Sequence, residues 1–379
     1  MIPLFKVYMS EAAIEASANV LRSGFIGQGP IVKEFEADLK KHFKNNLVAT
    51  TNAATSAEHL ALHLLKRESS TWPGLQEGDE VLCTPLTCTA TNWPVLANNL
   101  NIKWVDIDKN NLNMDLTDLE RKITKHTKVI FVVHWGGYPI DLDKIVDIQN
   151  RAQVTFGFRP MVIEDCAHAM GSTYKGEPLG YSHNNFCTFS LQAIKHITAV
   201  DGGILISPTL EYHKRAKLLR WYGINRDSNR KDFRCEEDIS EWGFKFHMND
   251  VNASIGKENF KHLDEIVNKQ RNNAAFYDKE LVGIKDVTLL ERNSTMNSSF
   301  WLYSLLVERK TDFMLKMKQN NIMVSQVHER NDIHSCVSNF KTLLPNLNEV
   351  QQKLISIPVG WWVTKEQREF IVSIMKEGW

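Results

Sequence analysis

Short, nearly continuous apolar runs punctuate the first half of the chain: Leu47-Val48-Ala49-Thr50, Glu80-Val81-Leu82-Cys83, Ile102-Lys103-Trp104-Val105, Lys128-Val129-Ile130-Phe131-Val132-Val133, Met161-Val162-Ile163, Phe186-Cys187-Thr188-Phe189 and Gly203-Ile204-Leu205-Ile206. Strands that alternate in polarity have one wet face, whereas runs like these fit strands covered on both faces of a mostly parallel sheet. Helical spacing falls between them, with Leu60, Leu62, Leu64 and Leu65 in one segment and Leu116, Leu119 and Ile123 in another. The pattern predicts an α/β domain built on a seven-stranded sheet. After Gly203 the alternation stops, and 252–281 reads as one long helical stretch with Ile255, Phe260, Leu263, Ile266 and Phe276 on one side. Beyond 283, strand signals (287–290, 301–307) mix with helices (312–320, 365–376), which predicts a smaller α+β domain. We therefore divide the chain at about residue 250 into 1–250 and 251–379. Residues 226–240, dense in charge, read as a surface loop.

Composition narrows the class. The 379 residues are 43% hydrophobic and 24% charged, and 45 basic side chains balance 45 acidic ones. This is globular composition with no net field to recruit nucleic acid or an anionic membrane. No apolar leader follows Met1 and no run reaches the roughly 20 apolar residues of a membrane span, which implies a cytoplasmic protein, in the host's cytoplasm if the source is a virus. The six cysteines (Cys83, Cys88, Cys166, Cys187, Cys235 and Cys336) contain no Cys-x-x-Cys pair and read as reduced, buried thiols.

Candidate chemistry sits where strands end. In an open parallel sheet, ligands bind at the carboxyl ends of the strands, and Asp165 directly follows the run Met161-Val162-Ile163-Glu164. A buried carboxylate needs a partner, and a protonated pyridine nitrogen is one; a helix N-cap is the structural alternative. Lys195 follows the next strand. A lysine that forms an imine with an aldehyde, together with a carboxylate that holds a pyridine nitrogen protonated, is what pyridoxal 5'-phosphate (PLP) requires of a protein. Taken alone, Lys195 would be a solvated surface lysine. Asn52-Ala53-Ala54-Thr55-Ser56-Ala57 follows a strand and opens a helix, so its amides could hold a phosphate, unless Asn52 simply caps the helix. Ser190 could add a hydroxyl bond to that phosphate.

These segments, in this order, resemble the DegT/StrS family of nucleotide-sugar aminotransferases, with viosamine- and perosamine-type synthases as the model. The resemblance runs through residues 23–30, Ala54-Thr55 with His59-Leu60-Ala61-Leu62, Thr84-Pro85-Leu86-Thr87, His134-Trp135-Gly136-Gly137, 164–171, 189–203, 220–223 and 243–255. It implies the PLP-transferase fold type I and PLP as cofactor. Lys195 would be the Schiff-base lysine and proton shuttle, Asp165 the partner of the pyridine nitrogen, and His168 the neighbour of the ring's phenolic oxygen, where the family more often has glutamine. Ala54, Thr55 and Ser190 would hold the phosphate. Cys88 stands where the family often stacks an aromatic ring, with Trp93 as a substitute cover. Lys245 stands where the family has an asparagine that reaches the phosphate of the neighbouring subunit, so a homodimer with shared active sites is implied. Phe25, Tyr222 and His328 would contact substrate. The implied reaction moves an amino group from glutamate, released as 2-oxoglutarate, to C4 of a nucleoside-diphosphate 4-keto-6-deoxyhexose. Amination at C3, or dehydration on the same fold, is the nearest alternative; a non-catalytic sensor or scaffold is the more distant one.

Two other motifs are set aside. Residues 24–29 are glycine-rich, but they follow no strand and lack Gly-x-Gly-x-x-Gly spacing, which argues against a dinucleotide loop. His59 and His63 lie at i and i+4 on one helix, yet no glutamate follows His59, and no metal site is expected.

Overall fold

The computed structural model describes residues 1–181, 184–226 and 238–379. Cys235 and most of the expected loop at 226–240 lie outside them. Thirteen strands form in chain order among the described residues: β1 Val48–Thr51, β2 Glu80–Cys83, β3 Asn101–Trp104, β4 Thr127–Val133, β5 Met161–Asp165, β6 Thr173–Tyr174, β7 Glu177–Pro178, β8 Phe186–Ser190, β9 Gly203–Ile206, β10 Val287–Leu289, β11 Met296–Asn297, β12 Tyr303–Val307 and β13 Leu354–Ile357. The central sheet has seven strands in the order β1-β9-β8-β5-β4-β2-β3. The pairs β2/β3, β2/β4, β4/β5 and β5/β8 are parallel, and β9 runs antiparallel to both of its neighbours. The continuous apolar runs have their explanation here. Helices cover both faces, and β1, β8 and β9 are buried along their whole length.

Register brings the chemistry-bearing ends together. Asp165 pairs with Thr188 across β5 and β8. Gly203, at the start of β9, pairs with Thr51 on one side and Ser190 on the other. The chain leaving β1 therefore turns into its helix beside Ser190. A Cβ on Gly203 would lie 2.3 Å from the Ala53 carbonyl oxygen, so this close approach of strand and helix start requires glycine.

The helix predicted around 57–65 runs from Ala54 to Leu64. The long stretch at 252–281 forms two helices, Asp250–Phe260 and Leu263–Glu280, because the backbone turns at Lys261 and His262. Two helices that the apolar pattern did not single out, Glu11–Ser23 and Pro30–Phe43, pack against Asp250–Phe260. In the C-terminal part, β10, β12 and β13 form an antiparallel sheet backed by Leu263–Glu280, Lys310–Gln319 and Lys365–Glu377 around Tyr277, Tyr303, Phe313 and Ile371. A division near residue 250 is our reading of the chain, and packing crosses it at several places. Ile2 bridges to Ile322, and Leu344, Leu347 and Val350 join Trp104 and Phe131 in one apolar cluster. Among the described residues no helix is long and apolar enough to cross a membrane. Cys83, Cys166 and Cys187 are buried free thiols, but Cys88 is only half-buried and Cys336 is exposed, so the expectation of uniformly buried thiols is corrected.

Candidate active site

Asp165 closes β5 with 4% of its surface exposed. It does not cap a helix. Its carboxylate accepts from Thr91 Oγ1 at 2.7 Å and from the Ala167 amide at 2.8 Å, and Thr91 is held in turn by Thr87 Oγ1 at 2.8 Å. Two donors fix the acceptor in place, which suits it to a cationic partner.

Lys195 lies on the turn after β8, its amide bonded to the Gln192 carbonyl at 3.0 Å. The side chain is half-buried, with Nζ 3.7 Å from the centroid of the Trp301 ring. Desolvation pulls the amine down to about 8, against the opposing pull of Asp165, Cys88 and Glu58. An amine near neutrality can act as nucleophile and as proton carrier, which a surface ammonium does poorly.

The helix start at Ala54 has no side-chain cap. The Asn52 side chain instead donates to the Lys245 carbonyl at 3.3 Å. Uncapped first-turn amides at Ala54 and Thr55, with the Ser190 hydroxyl beside them through the Ser190–Gly203–Thr51 row, form a place for a phosphate dianion at a positive helix end. The lysine, the carboxylate and this helix end all lie at the carboxyl edge of one sheet, and the set fits PLP.

His168 is 3% exposed and stacks on Trp301 at 3.9 Å and 22°. Its Nδ1 accepts from the Gly136 amide at 3.4 Å, which leaves the proton on Nε2, 3.5 Å from Nε2 of His328. Desolvation first, then the Lys195 charge, holds both imidazoles neutral: His168 far below its ordinary range and His328 at about 4. His328 thus lies in one cluster with His168 and Trp301. Trp301, which the sequence reading placed in a strand, instead precedes β12. It is fixed by its indole N–H to the Ile194 carbonyl at 2.9 Å and by Phe5 stacked at 5.1 Å. Ser299 and Ser172 hold this segment against the loop after β5 through hydrogen bonds to each other and to the His168 and Gly137 carbonyls. Trp301, Thr91 and Glu58 are the residues the sequence reading missed. Glu58 alone left a local signal, the one carboxyl on the mostly buried helix Ala54–Leu64.

Cys88 lies within electrostatic reach of Lys195, whereas Phe25, Tyr222 and Lys245 lie at the surface. Cys88 is the N-cap residue of the helix Thr89–Ala97, and Trp93 packs edge-on to His334 at 5.9 Å. Phe25 is 83% exposed and lines a cleft of about 790 Å³ with Val20, Gln28, Ile31 and Asp250, a cleft that shares no residue with the Lys195 cluster. Tyr222 is exposed, and so is Lys245, whose main chain pairs with Trp221. Among the described residues of one chain, none of these three forms a hydrogen bond, ion pair or ring contact with Lys195 or Asp165.

Beneath the site, His134, Glu164 and Cys166 come within metal-ligand distance of one another. The donors are already used, however. His134 Nε2 donates to Glu164 at 3.0 Å and its Nδ1 accepts from the Ile140 amide at 3.1 Å, while Asn185 donates to the other Glu164 oxygen at 2.7 Å. This is a hydrogen-bonded floor under Asp165.

A stability prediction follows from the imidazoles. Desolvation lowers His63, His213, His247 and His328 to about 4 and His196 to about 3. The unfolded chain, with ordinary histidines near 6.5, binds more protons below that pH, so stability is full above about pH 6.5 and is lost as the pH falls toward 4. Thermal unfolding should show Tm declining through this window; a flat Tm would mean that these rings charge freely in the folded state.

A mostly parallel seven-stranded sheet, with a lysine and a carboxylate both placed at its carboxyl edge, fits the class of PLP-dependent transferases. The sequence matches the DegT/DnrJ/EryC1/StrS aminotransferase family over residues 7–376, and the chain belongs to that family. The structure is similar to AtS13 from Actinomadura melliaura, with a TM-score of 0.95 and 48% identity, covering 100% of this chain and 99% of that one. It is similar to the sugar aminotransferase CalS13 from Micromonospora echinospora, with a TM-score of 0.94 and 44% identity over 100% of both chains. The UDP-4-amino-4-deoxy-L-arabinose--oxoglutarate aminotransferase of Shewanella sediminis is 32% identical over 303 residues, 79% of this chain and 74% of that protein. The protein is accordingly a sugar aminotransferase of a PLP-dependent family.

Proposed function

We propose that the protein transfers the amino group of glutamate to C4 of a nucleoside-diphosphate 4-keto-6-deoxyhexose, forming a 4-amino-4,6-dideoxy sugar nucleotide of the viosamine or perosamine type. The observation that carries the chemistry is the placement of Lys195 and Asp165 at the carboxyl ends of adjacent strands, beside an uncapped helix start. The name of the Shewanella relative supports position 4 and oxoglutarate.

When bound, PLP supplies an aldehyde that condenses with amines and a protonated ring that accepts electron density. Ala54, Thr55 and Ser190 would hold its phosphate, and Asp165 its ring nitrogen. Lys195 Nζ carries the proton at the substrate carbon, as base in one half-reaction and as acid in the other. His168 and His328, kept neutral, would offer hydrogen bonds without adding charge beside the amine, while Trp301 excludes water from one side of Lys195. Cys88, just before the helix Thr89–Ala97, would cover the cofactor by sulfur contact. Phe25 and Tyr222 would meet the sugar nucleotide from their exposed positions.

A panel of UDP-, dTDP- and GDP-linked 4-keto and 3-keto sugars with glutamate, read by mass spectrometry, tests the reading. Amine and 2-oxoglutarate should form together from a 4-keto sugar. Turnover of 3-keto sugars alone, or a deoxygenated product without glutamate consumption, would sink it.

The exposed Lys245, Phe25 and Tyr222 also support a homodimer in which each subunit completes the other's site. Mixing Lys195→Ala chains with Lys245→Ala chains should restore activity, because one site of each heterodimer then regains both residues. Lys245 is anchored beside Asn52 of its own chain, so the opposite result is informative: a dead mixture, with exchange demonstrated and Lys245→Ala impaired alone, would assign Lys245 to its own phosphate site.

A further inference from the structure

Lys195 is bracketed by one short segment, Ser299 to Trp301. On one side the Ile194 carbonyl accepts from the Trp301 indole N–H at 2.9 Å, and on the other His196 Nε2 donates to the Ser299 carbonyl at 3.2 Å. Nζ itself lies 3.7 Å from the centroid of the Trp301 ring. Among the described residues Nζ forms no hydrogen bond or ion pair, and the group it meets is the ring. The ring cannot turn away, because Phe5 stacks on it at 5.1 Å and His168 at 3.9 Å, and it is almost fully buried. An indole offers both an edge N–H for Ile194 and a face rich enough in electrons to attract a cation, which no aliphatic side chain does. The other ionisable groups around Lys195 are committed or neutral. Asp165 on β5 is held by Thr91 and the Ala167 amide, and Cys88, before Thr89–Ala97, is a free thiol. Desolvation, then the Asp165 charge, raises Glu58 on Ala54–Leu64 well above the ordinary carboxyl range. Desolvation, helped by the Lys195 charge, keeps His168, His196 and His328 neutral. Arg271, from Leu263–Glu280, donates to the Gly171 and Ser298 carbonyls.

A carboxylate and a ring face both attract an ammonium, but only the carboxylate can take its proton. Building on the assignment of Lys195 as the reactive amine, we propose that Trp301 is a positioning residue whose ring face holds Lys195 in its protonated form, so that the proton stays on Nζ until the substrate carbon takes it. In that transfer the electron pair on the carbon forms the new C–H bond, the N–H bond breaks, and its electron pair stays on nitrogen as the free amine. One proton moves and net charge is conserved. The ring attracts charge, so its hold ends with the transfer and the neutral amine is free to leave the face. In the opposite half-reaction the amine takes the proton from carbon and returns to the ring as ammonium. Trp301 thus acts through Lys195, and the hydrogen bonds from Trp301 to Ile194 and from His196 to Ser299 keep the lysine turn and the ring in one frame.

The test uses the full-length protein freed of cofactor, with the rate of Lys195 acetylation by acetic anhydride followed by mass spectrometry across pH. Acylation tracks the fraction of free amine, and the wild-type midpoint should lie at about 8. Placing monofluoro-, difluoro- and tetrafluorotryptophan at position 301 alone keeps the shape and burial of the ring while draining its face of electron density. Each step weakens an attraction that only the ammonium feels, so the free amine gains ground and the midpoint should fall stepwise. The full series should lower it by about half to one pH unit, with roughly threefold to tenfold faster labelling below the midpoint. A fluorinated series that superimposes on the wild type, or a midpoint that rises, overturns the proposal. A shift seen with Trp301→Leu but not with the fluorinated rings overturns it as well and assigns Trp301 to water exclusion alone. No arm uses a sugar substrate, so failure here leaves the proposed reaction standing, and borohydride trapping checks Lys195 independently.

Discussion

Replacing Lys195 by alanine is expected to abolish measurable transamination while leaving the fold intact. Among the described residues its side chain forms no hydrogen bond or ion pair: Nζ lies over the Trp301 ring, and the backbone of the turn is held by the Gln192 carbonyl and by the Leu191–Ala199 pair. Chemistry suffers on two counts. The covalent anchor for the cofactor is gone, and so is the group that moves the proton, for which general acid–base catalysis alone contributes about 10²- to 10⁴-fold. Steady-state rates with glutamate and the best sugar of the panel should fall by at least about 10³-fold. In the wild type, borohydride should fix the cofactor covalently to Lys195, and peptide mapping would locate it. Label on any other lysine, or an alanine variant with near-normal turnover, would remove Lys195 from the centre.

Asp165→Asn should be the second largest loss, about 10²-fold or more in turnover, because a neutral amide cannot stabilise the pyridinium charge on which the electron sink depends. The isosteric amide can still accept one of the two present hydrogen bonds, from Thr91 or from the Ala167 amide, so Tm should change little. Cofactor affinity and the near-ultraviolet spectrum of the bound ring should both shift. A variant with full turnover and tightly held cofactor would reduce Asp165 to a structural acceptor for the loop after β5.

Much of this centre was legible in the chain because its elements are local. Asp165 closes, and Lys195 follows, strands that their own apolar runs announce, and Ala54 opens a helix shortly after another. The carboxyl-end rule for parallel sheets then needs no knowledge of packing. What the runs could not announce is register. The row Thr51–Gly203–Ser190 depends on β9 entering the sheet antiparallel, and β9 looks as apolar as its parallel neighbours. The break at Lys261 and His262 was equally silent, since the apolar positions on either side keep helical spacing across it.

The sequence by itself determined the layered α/β architecture, the family, and the lysine–carboxylate pair, because strand burial, helix periodicity and strand ends are properties of contiguous residues. Only the tertiary structure decided what surrounds that pair. It brought Trp301 over Lys195 from more than 100 positions away. It set His328 beside His168 and placed Thr91 under Asp165. It also buried Glu58 with one oxygen unpartnered among them. Each of these contacts joins segments whose local patterns are independent of one another. Their meeting follows from the strand order and from the C-terminal segment folding back over the sheet edge, and desolvation there, rather than residue type, sets the protonation states on which the chemistry depends.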